Sequence, residues 1–423
     1  MTGRKKNCKI TTRWALSFQT KNEAERSVFQ LLLIKNGTLI TMTGIYKQAG
    51  DILIENGKIS RIGNDLPVSE GCKVIDAAGK VVTPGLVDAH CHIGLWGTVS
   101  SAEMDGNEYT SPALPGLRGI DALKWNDPTF NVAVRHGVTT VVTGPGSANI
   151  IGGTFTAVKT AGKDLDSRVV KQETCMKMAL GENPKFCFGK QNKAPKTRMM
   201  NAAIMREQLF KAAEYHEKYK KHGDDPEFPY DFHMHSLMRL FDGMRVKIHA
   251  HQADDIQTAI RIANEFGLRY SVDHCTEGYL IVDELAKNHV QCLLGPTVGG
   301  KSKMELSHRS FDAGRILEEA GVTFGLITDA PFVPIEGQLL QAALYVKSGL
   351  SREMALKCLS INNAIITDID SRVGSLEPGK DADVVIWDVE PLDTMAQAGI
   401  VIIDGQVVYE RKAGESNVDY QEL

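Results

Sequence analysis

Apolar and polar positions along the chain follow two rhythms. Leu31 to Ile62 and Ala382 to Tyr409 read as short β-like runs. They are broken at Asn36-Gly37, Asn56-Gly57 and Asp404-Gly405, pairs that tolerate positive φ and so predict hairpin turns. From about Pro84 to Asn363, apolar runs of strand length alternate with helical periodicity, the pattern of a parallel sheet with crossover helices. Strands are predicted at Leu86 to Ala89, Val138 to Thr143, Phe155 to Lys159, Cys175 to Leu180, Val246 to Ala250, Tyr270 to Asp273, Gln291 to Leu294 and Thr323 to Thr328. Helices are predicted over Thr197 to Lys221, Ile256 to Phe266, Ile281 to Lys287, Ala313 to Ala320 and Glu336 to Ser348. Eight strands in such a series close a (β/α)8 TIM barrel, so the fold class is α/β. The terminal strands complete a small β-sandwich built from both chain ends. Residues 1–29 then form a poorly ordered extension, 30–83 and 364–423 the two parts of the sandwich, and 84–363 the barrel.

Several of the predicted barrel strands end in a ligand-type side chain. Val81 to His92 reads V-V-T-P-G-L-V-D-A-H-C-H, and residues i and i+2 of a strand share a face, so His90 and His92 point the same way. Lys247-Ile248-His249-Ala250-His251, Tyr270-Ser271-Val272-Asp273-His274 and Gly325-Leu326-Ile327-Thr328-Asp329 end likewise. A parallel barrel gathers the C-terminal ends of its strands at one mouth, and these side chains would meet there. His233-Met234-His235 is a second H-x-H, but it leads into a helical pattern and ends no strand. The stretch G-P-G-S-A-N-I-I-G-G, 144–153, lacks the pattern of a phosphate loop and reads as backbone approaching the site.

Composition narrows the class without naming the chemistry. With 43% hydrophobic and 24% charged residues, the 423-residue chain has the balance of a soluble globular enzyme. A formal charge of -4 supplies no general attraction for nucleic acid or an anionic membrane, and no apolar run approaches the roughly 18 residues of a span. The eight cysteines are scattered without a C-x-x-C pair, which fits a reducing, cytoplasmic home.

In order, the motifs P-G-L-V-D-A-H-C-H (84–92), G-V-T-T-V-V (137–142), V-K-I-H-A-H (246–251), V-D-H (272–274), T-D-A-P (328–331) and L-E-P-G-K-D-A-D-V-V-I-W-D (376–388) form one pattern. Over residues 31 to about 410 the chain resembles the amidohydrolase superfamily, and within it the imidazolonepropionase-related and prolidase-like metal-dependent hydrolases. The resemblance implies that His90, His92, His249, His274 and Asp329 are metal ligands, with Asp329 also moving the proton and His274 also catalytic. It further implies a bridging ligand from the fourth strand, often a carboxylated lysine. That strand runs M-K-M-A-L-G-E-N, so Glu182 is expected to supply the bridge, with Lys177, deeper in the strand, as its rival. Where imidazolonepropionase-like members carry a carboxylate pair, this chain has His251 and Gln252, so those two are expected to support the site or touch the substrate. Gln252 cannot serve as a base.

Neutral imidazoles and carboxylates suit one or two divalent ions, Zn²⁺ first, with Fe²⁺ or Mn²⁺ as alternatives. The expected reaction is hydrolysis of an amide-like C–N bond in a small cyclic amide, acyl-amino acid or dipeptide by metal-activated water. A deaminase of a heterocyclic amine would use the same centre. A non-catalytic scaffold would have lost ligands, and this set is complete. Lys301, Lys303, His308 and Arg309 follow the seventh strand on the mouth side, and Lys301 and Arg309 are expected to contact substrate, the set being suited to a substrate carboxylate. The expected partner is a small molecule, with a homo-oligomer as the assembly.

Overall fold

The computed structural model describes residues 31–44, 46–96, 104–300 and 302–412. The expected extension over residues 1–29 lies outside them, as does Lys301. Five strands open the chain: β1 (Leu31–Leu39), β2 (Gln48–Glu55), β3 (Lys58–Gly63), β4 (Lys73–Asp76) and β5 (Val81–Pro84). Eight follow: β6 (Leu86–Cys91), β7 (Val138–Thr143), β8 (Ile151–Lys159), β9 (Val169–Ala179), β10 (Arg245–Ala250), β11 (Tyr270–His274), β12 (Gln291–Leu294) and β13 (Phe324–Leu326). Three close the described chain: β14 (Val384–Trp387), β15 (Ala398–Ile403) and β16 (Gln406–Glu410).

Strands β6 to β13 pair in sequence order into one eight-stranded sheet. The sheet curls into a nearly closed barrel. Past the end of β13, Asp329 N–H donates to His90 O at 3.0 Å and His92 N–H to Ala330 O at 2.8 Å, joining the last strand to the first. All eight predicted strands are present, but they are not uniformly parallel. β8 runs antiparallel to both β7 and β9. The reason is chain length, because parallel neighbours need a crossover of a dozen or more residues. Seven residues separate Thr143 from Ile151 and nine separate Lys159 from Val169, enough only for a reversal. The link from β7 to β8 therefore stays at the mouth, where residues 144–150 cross the site.

The terminal strands form a second network in the order β16-β15-β14-β5-β1-β2-β3, with β4 on β1. Both chain ends contribute, as expected. The hydrogen bonding is that of one continuous sheet rather than the two separate sheets that the expected sandwich implies. Asn56 and Gly57, with φ of 53° and 76°, turn β2 into β3, and Asp404-Gly405 turns β15 into β16. Asn36, also at positive φ, makes no hairpin: it forms a bulge inside β1, where the register with β2 shifts between Ile34 and Gly37.

Period-two alternation on β14 decides how sheet and barrel meet. Val384 and Ile386 join the sheet's own apolar cluster, with Leu32, Ile34, Ile52 and Ile402. Val385 and Trp387 face the barrel cluster, and Trp387 also donates from Nε1 to Thr83 Oγ1 at 2.9 Å. Burying each such side chain stabilises the contact by roughly 1.5–3 kcal/mol. A charged contact adds to it: Lys159 at the end of β8 is 1% exposed, and its ammonium lies 2.5 Å from Asp383, 2.9 Å from Asp381 and 3.6 Å from Asp404.

Candidate metal centre

Strand ends build the centre. β6 delivers His90 and His92, β10 ends just before His251 and carries His249, β11 ends in His274, and Asp329 follows β13. His274 and Asp329 have φ of 71° and 55°, a left-handed conformation uncommon for non-glycine residues, in which the backbone turns away as the strand leaves the barrel. One ligand atom each from His90, His274 and Asp329 lie within 4.8 Å of one another, and so do those of His249, His251 and His274. These residues are at most 9% exposed.

Each imidazole is fixed by one nitrogen and presents the other. His90 Nδ1 donates to Asp273 Oδ2 at 2.6 Å, His92 Nδ1 to Gly144 O at 2.7 Å and His274 Nδ1 to Gly295 O at 2.7 Å. His249 Nδ1 shares a hydrogen bond with Ser147 Oγ at 2.9 Å, and His251 Nδ1 with Thr276 Oγ1 at 2.7 Å. The β7–β8 crossing thus supplies two of these tethers, Gly144 and Ser147, as its expected approach to the site implied.

The tethers have an electrostatic consequence that tests the fit of a cation. With Nδ1 of each committed to its tether, His90 and His92 turn Nε2 toward Asp329 Oδ1, at 3.5 and 3.1 Å, and in that tautomer each presents a lone pair. Lone pair facing carboxylate is repulsive unless a positive charge stands between them, and a divalent ion is such a charge. Burial pushes the His90, His249 and His251 imidazoles well below the ordinary histidine range and His274 down to about 4, so they are neutral donors at pH 7. Burial alone would raise Asp329, but its surroundings of His92, His274 and His90 outweigh that and hold the carboxyl below the usual range. The donor set fits a borderline divalent ion.

Beneath the ligands lies a second tier. Asp273, which orients His90, also accepts from Ser271 Oγ at 2.8 Å and pairs with the fully buried Lys247 at 2.9 Å. Lys247 donates to Ala89 O at 3.0 Å as well. This buried pair was missed in the sequence, although Lys247 and Asp273 each precede by one or two positions a histidine already singled out. Asp88 accepts from the Thr328 hydroxyl, and burial raises its carboxyl to about 6.

The fourth-strand position resolves differently from the first expectation. Lys177 on β9 is fully buried, with Nζ 3.4 Å from His90 Nε2, and burial lowers its ammonium to about 8. Glu182 lies past the strand end and opens the helix Glu182–Gly189, where its backbone N–H donates to Glu305 Oε2 at 3.1 Å. The geometry brings Lys177, not Glu182, to the first-strand histidines. Glu182 begins a helix that leads away from β9, whereas Lys177 lies within that strand and its side chain reaches His90.

A cavity of about 520 Å³ opens over the centre. Trp96 stacks on His92 with centroids 4.7 Å apart, and Phe332 meets Trp96 edge-on at 5.1 Å. His251 and Arg309 line the cavity. Arg309, however, spends its guanidinium on Gly299 O and Gly300 O, at 2.6 and 2.7 Å, and so holds a loop rather than offering a free carboxylate clamp. Gln252 turns to Arg198 and is not among the lining residues. Glu305, which the sequence reading passed over, is fully buried beside His249 and His251. The decoy pair His233 and His235 sits in the helix Phe232–Met238, apart from the centre.

Comparison with known proteins agrees with this geometry. The chain is similar to an amidohydrolase of Thermotoga maritima MSB8 of known structure, at 36% identity and a TM-score of 0.87, covering 90% of this chain and all of that one. It is 28% identical over 399 residues to the amidohydrolase tasK of Hapsidospora irregularis, of whose length it spans only 40%. It is 26% identical over 375 residues to an imidazolonepropionase of Treponema denticola, covering 82% of this chain and 87% of that protein. The model of the amidohydrolase family matches residues 81–408, the whole barrel and most of the second part of the terminal sheet. With that model matching well over half of its length, the chain belongs to the amidohydrolase family, hydrolases of carbon–nitrogen bonds.

Proposed function

We propose that the protein hydrolyses an amide-like C–N bond in a small cyclic amide, with acyl-amino acids and dipeptides as the neighbouring substrate classes. The observation that carries this is the convergence of His90, His92, His274 and Asp329, with imidazole lone pairs turned onto a carboxylate. His90, His92 and Asp329 would hold a first divalent ion, Zn²⁺ before Fe²⁺ or Mn²⁺, with Lys177 reaching the same place. Bound there, the ion lowers the pKa of water to roughly 7 and polarises a carbonyl.

The chain's own residues do the rest. Asp329, ionised at neutral pH, accepts a proton from the attacking water and returns it to the leaving nitrogen. His274, tied through Nδ1 to Gly295 O, turns its Nε2 lone pair toward the same space as a further donor to a cation. Trp96 and Phe332 form an apolar wall suited to a flat ring, and Asn107, Tyr109, Ser147 and Asn183 supply neutral polar contacts. Lys177 is favoured over Glu182 as the bridging side chain: an amine titrating near 8 is partly neutral at pH 7, as addition to CO₂ requires.

The test is metal analysis of the purified chain and of His90→Ala and Asp329→Ala, followed by assays on cyclic amides, dipeptides and aminopurines. Bound divalent ion lost in both variants, with turnover of a cyclic amide and no ammonia, supports the proposal. Less than one ion per chain, unaffected by either substitution, rejects it. Ammonia from an aminopurine would make the protein a deaminase instead.

A further inference from the structure

Residues 183–206 carry six cations, Lys185, Lys190, Lys193, Lys196, Arg198 and Arg206, and no acidic residue, in a chain whose formal charge is -4. They run from the helix Glu182–Gly189 through a linker into the first turns of the helix Arg198–His222. Two of the cations are engaged locally: Arg198 pairs with Asp255 at 2.9 Å and Arg206 with Glu265 at 2.7 Å. Lys190, Lys193 and Lys196 are exposed, and none of them is in an ion pair among the described residues. Like charges gathered without counter-charges repel one another, and an anionic partner relieves that repulsion.

Apolar side chains stand among these lysines. Phe186 is 62% exposed, Met199 79% and Met200 41%. Met304, 74% exposed, joins them from the loop after β12. Its neighbour Lys303 donates to Asn183 Oδ1 at 3.0 Å, and its other neighbour Glu305 accepts from Glu182 N–H at 3.1 Å, which pins Met304 to the start of the helix Glu182–Gly189. Asn183 and Cys187 of the same helix line the cavity over the metal centre, so this mixed face is part of the rim of its entrance.

We propose that this rim docks on an anionic lipid bilayer, with Lys190, Lys193 and Lys196 at the headgroups and Phe186, Met199, Met200 and Met304 sunk to the boundary with the acyl chains. Charge draws the chain to the surface, and burial of the apolar side chains holds it there. A nucleic acid is the poorer fit to the same charge. Bases stack on open aromatic faces, whereas the Phe186 ring carries the Lys190 ammonium 3.7 Å from its centroid and its exposed neighbours are methionines. Docked in this way, the cavity opens toward the bilayer. The proposal concerns the surface and holds whichever bond the metal centre cleaves.

The experiment sediments the full chain with vesicles of phosphatidylcholine alone and of an equimolar mixture of phosphatidylcholine and phosphatidylserine. Binding to the mixed vesicles at about 0.1 M KCl, its loss at about 0.5 M and none to phosphatidylcholine alone are expected. Each lysine near such a surface is worth about fivefold in partitioning, so Lys190→Gln, Lys193→Gln and Lys196→Gln combined should weaken binding about 100-fold. Phe186→Ser with Met199→Ser should weaken it too, while leaving its salt dependence that of the wild type. Absence of binding to the mixed vesicles overturns the proposal, as does equal binding to neutral ones or a triple lysine variant that binds like the wild type. Tighter binding of a single-stranded oligonucleotide than of the vesicles also overturns it and makes this a nucleic-acid face. Should the variants fail to fold, hydrogen exchange on the wild type decides: slowing by mixed vesicles across 183–206 and 303–306 supports the face, and slowing confined to other segments refutes it.

Discussion

The Nζ of Lys177 lies 3.4 Å from the Nε2 of His90, between two strands of the barrel that are 87 residues apart in sequence. An amine fully buried against an imidazole is an arrangement with little structural value, since both groups lose solvent and neither offers the other an opposite charge. Its worth lies in what the pair can hold. Lys177→Gln should therefore lower kcat/KM by more than about 100-fold, or about 2.7 kcal/mol of transition-state stabilisation, while Glu182→Gln stays within about threefold of the wild type. Steady-state kinetics on both variants make the comparison, and the reverse order would return the bridging role to Glu182.

Asp329 faces His92 at 3.1 Å and His90 at 3.5 Å, and it is placed to move the proton. Asp329→Asn keeps the shape and removes the base. The expected result is a fall in kcat of about 10²–10⁴-fold with a small change in KM, measured on whichever cyclic amide the panel identifies. An unchanged kcat would assign proton transfer to another group.

Asp273 joins His90 to the buried Lys247. Replacing it by Asn leaves an ammonium without its counter-charge and weakens the tether on His90. Asp273→Asn should lower stability by roughly 3–5 kcal/mol in urea unfolding and weaken metal binding about 10–100-fold. The double variant Asp273→Asn, Lys247→Met should recover much of the stability and little of the metal affinity. Recovery of both would mean that the tether itself does not matter.

The contact between Lys159 and the terminal sheet carries a pH signature. Burial alone would raise Asp381, but Lys159, Lys58 and Arg372 together lower it from 3.8 to about 2. A carboxyl whose pKa is depressed by folding stabilises the native state fully above its unfolded value and loses that contribution as pH falls through the folded one. The window is therefore about pH 4 down to about pH 2, and the contribution at neutral pH is about 2 kcal/mol. Chemical denaturation at pH 7, 4 and 2.5 should show this loss, and Asp381→Asn should flatten that part of the profile. An equally steep profile in the variant would place the acid sensitivity elsewhere.

Much of this protein is written locally. Apolar runs of strand length ending in His90, His92, His249, His274 and Asp329 mark both the barrel and the metal centre, because strand periodicity and strand ends are properties of a few neighbouring residues. Asn56-Gly57 and Asp404-Gly405 set their turns for the same reason. Other features depend on segments meeting in space. The reversal of β8 follows from links too short for a crossover, a constraint visible in the spacing once the strands are placed. Whether Lys177 or Glu182 reaches His90 depends on which residue still points inward after the barrel has curled, and the same closure left Gln252 facing Arg198. Glu305 carries no local mark at all: it becomes a neighbour of His251 only because a loop 54 residues further along folds over the mouth.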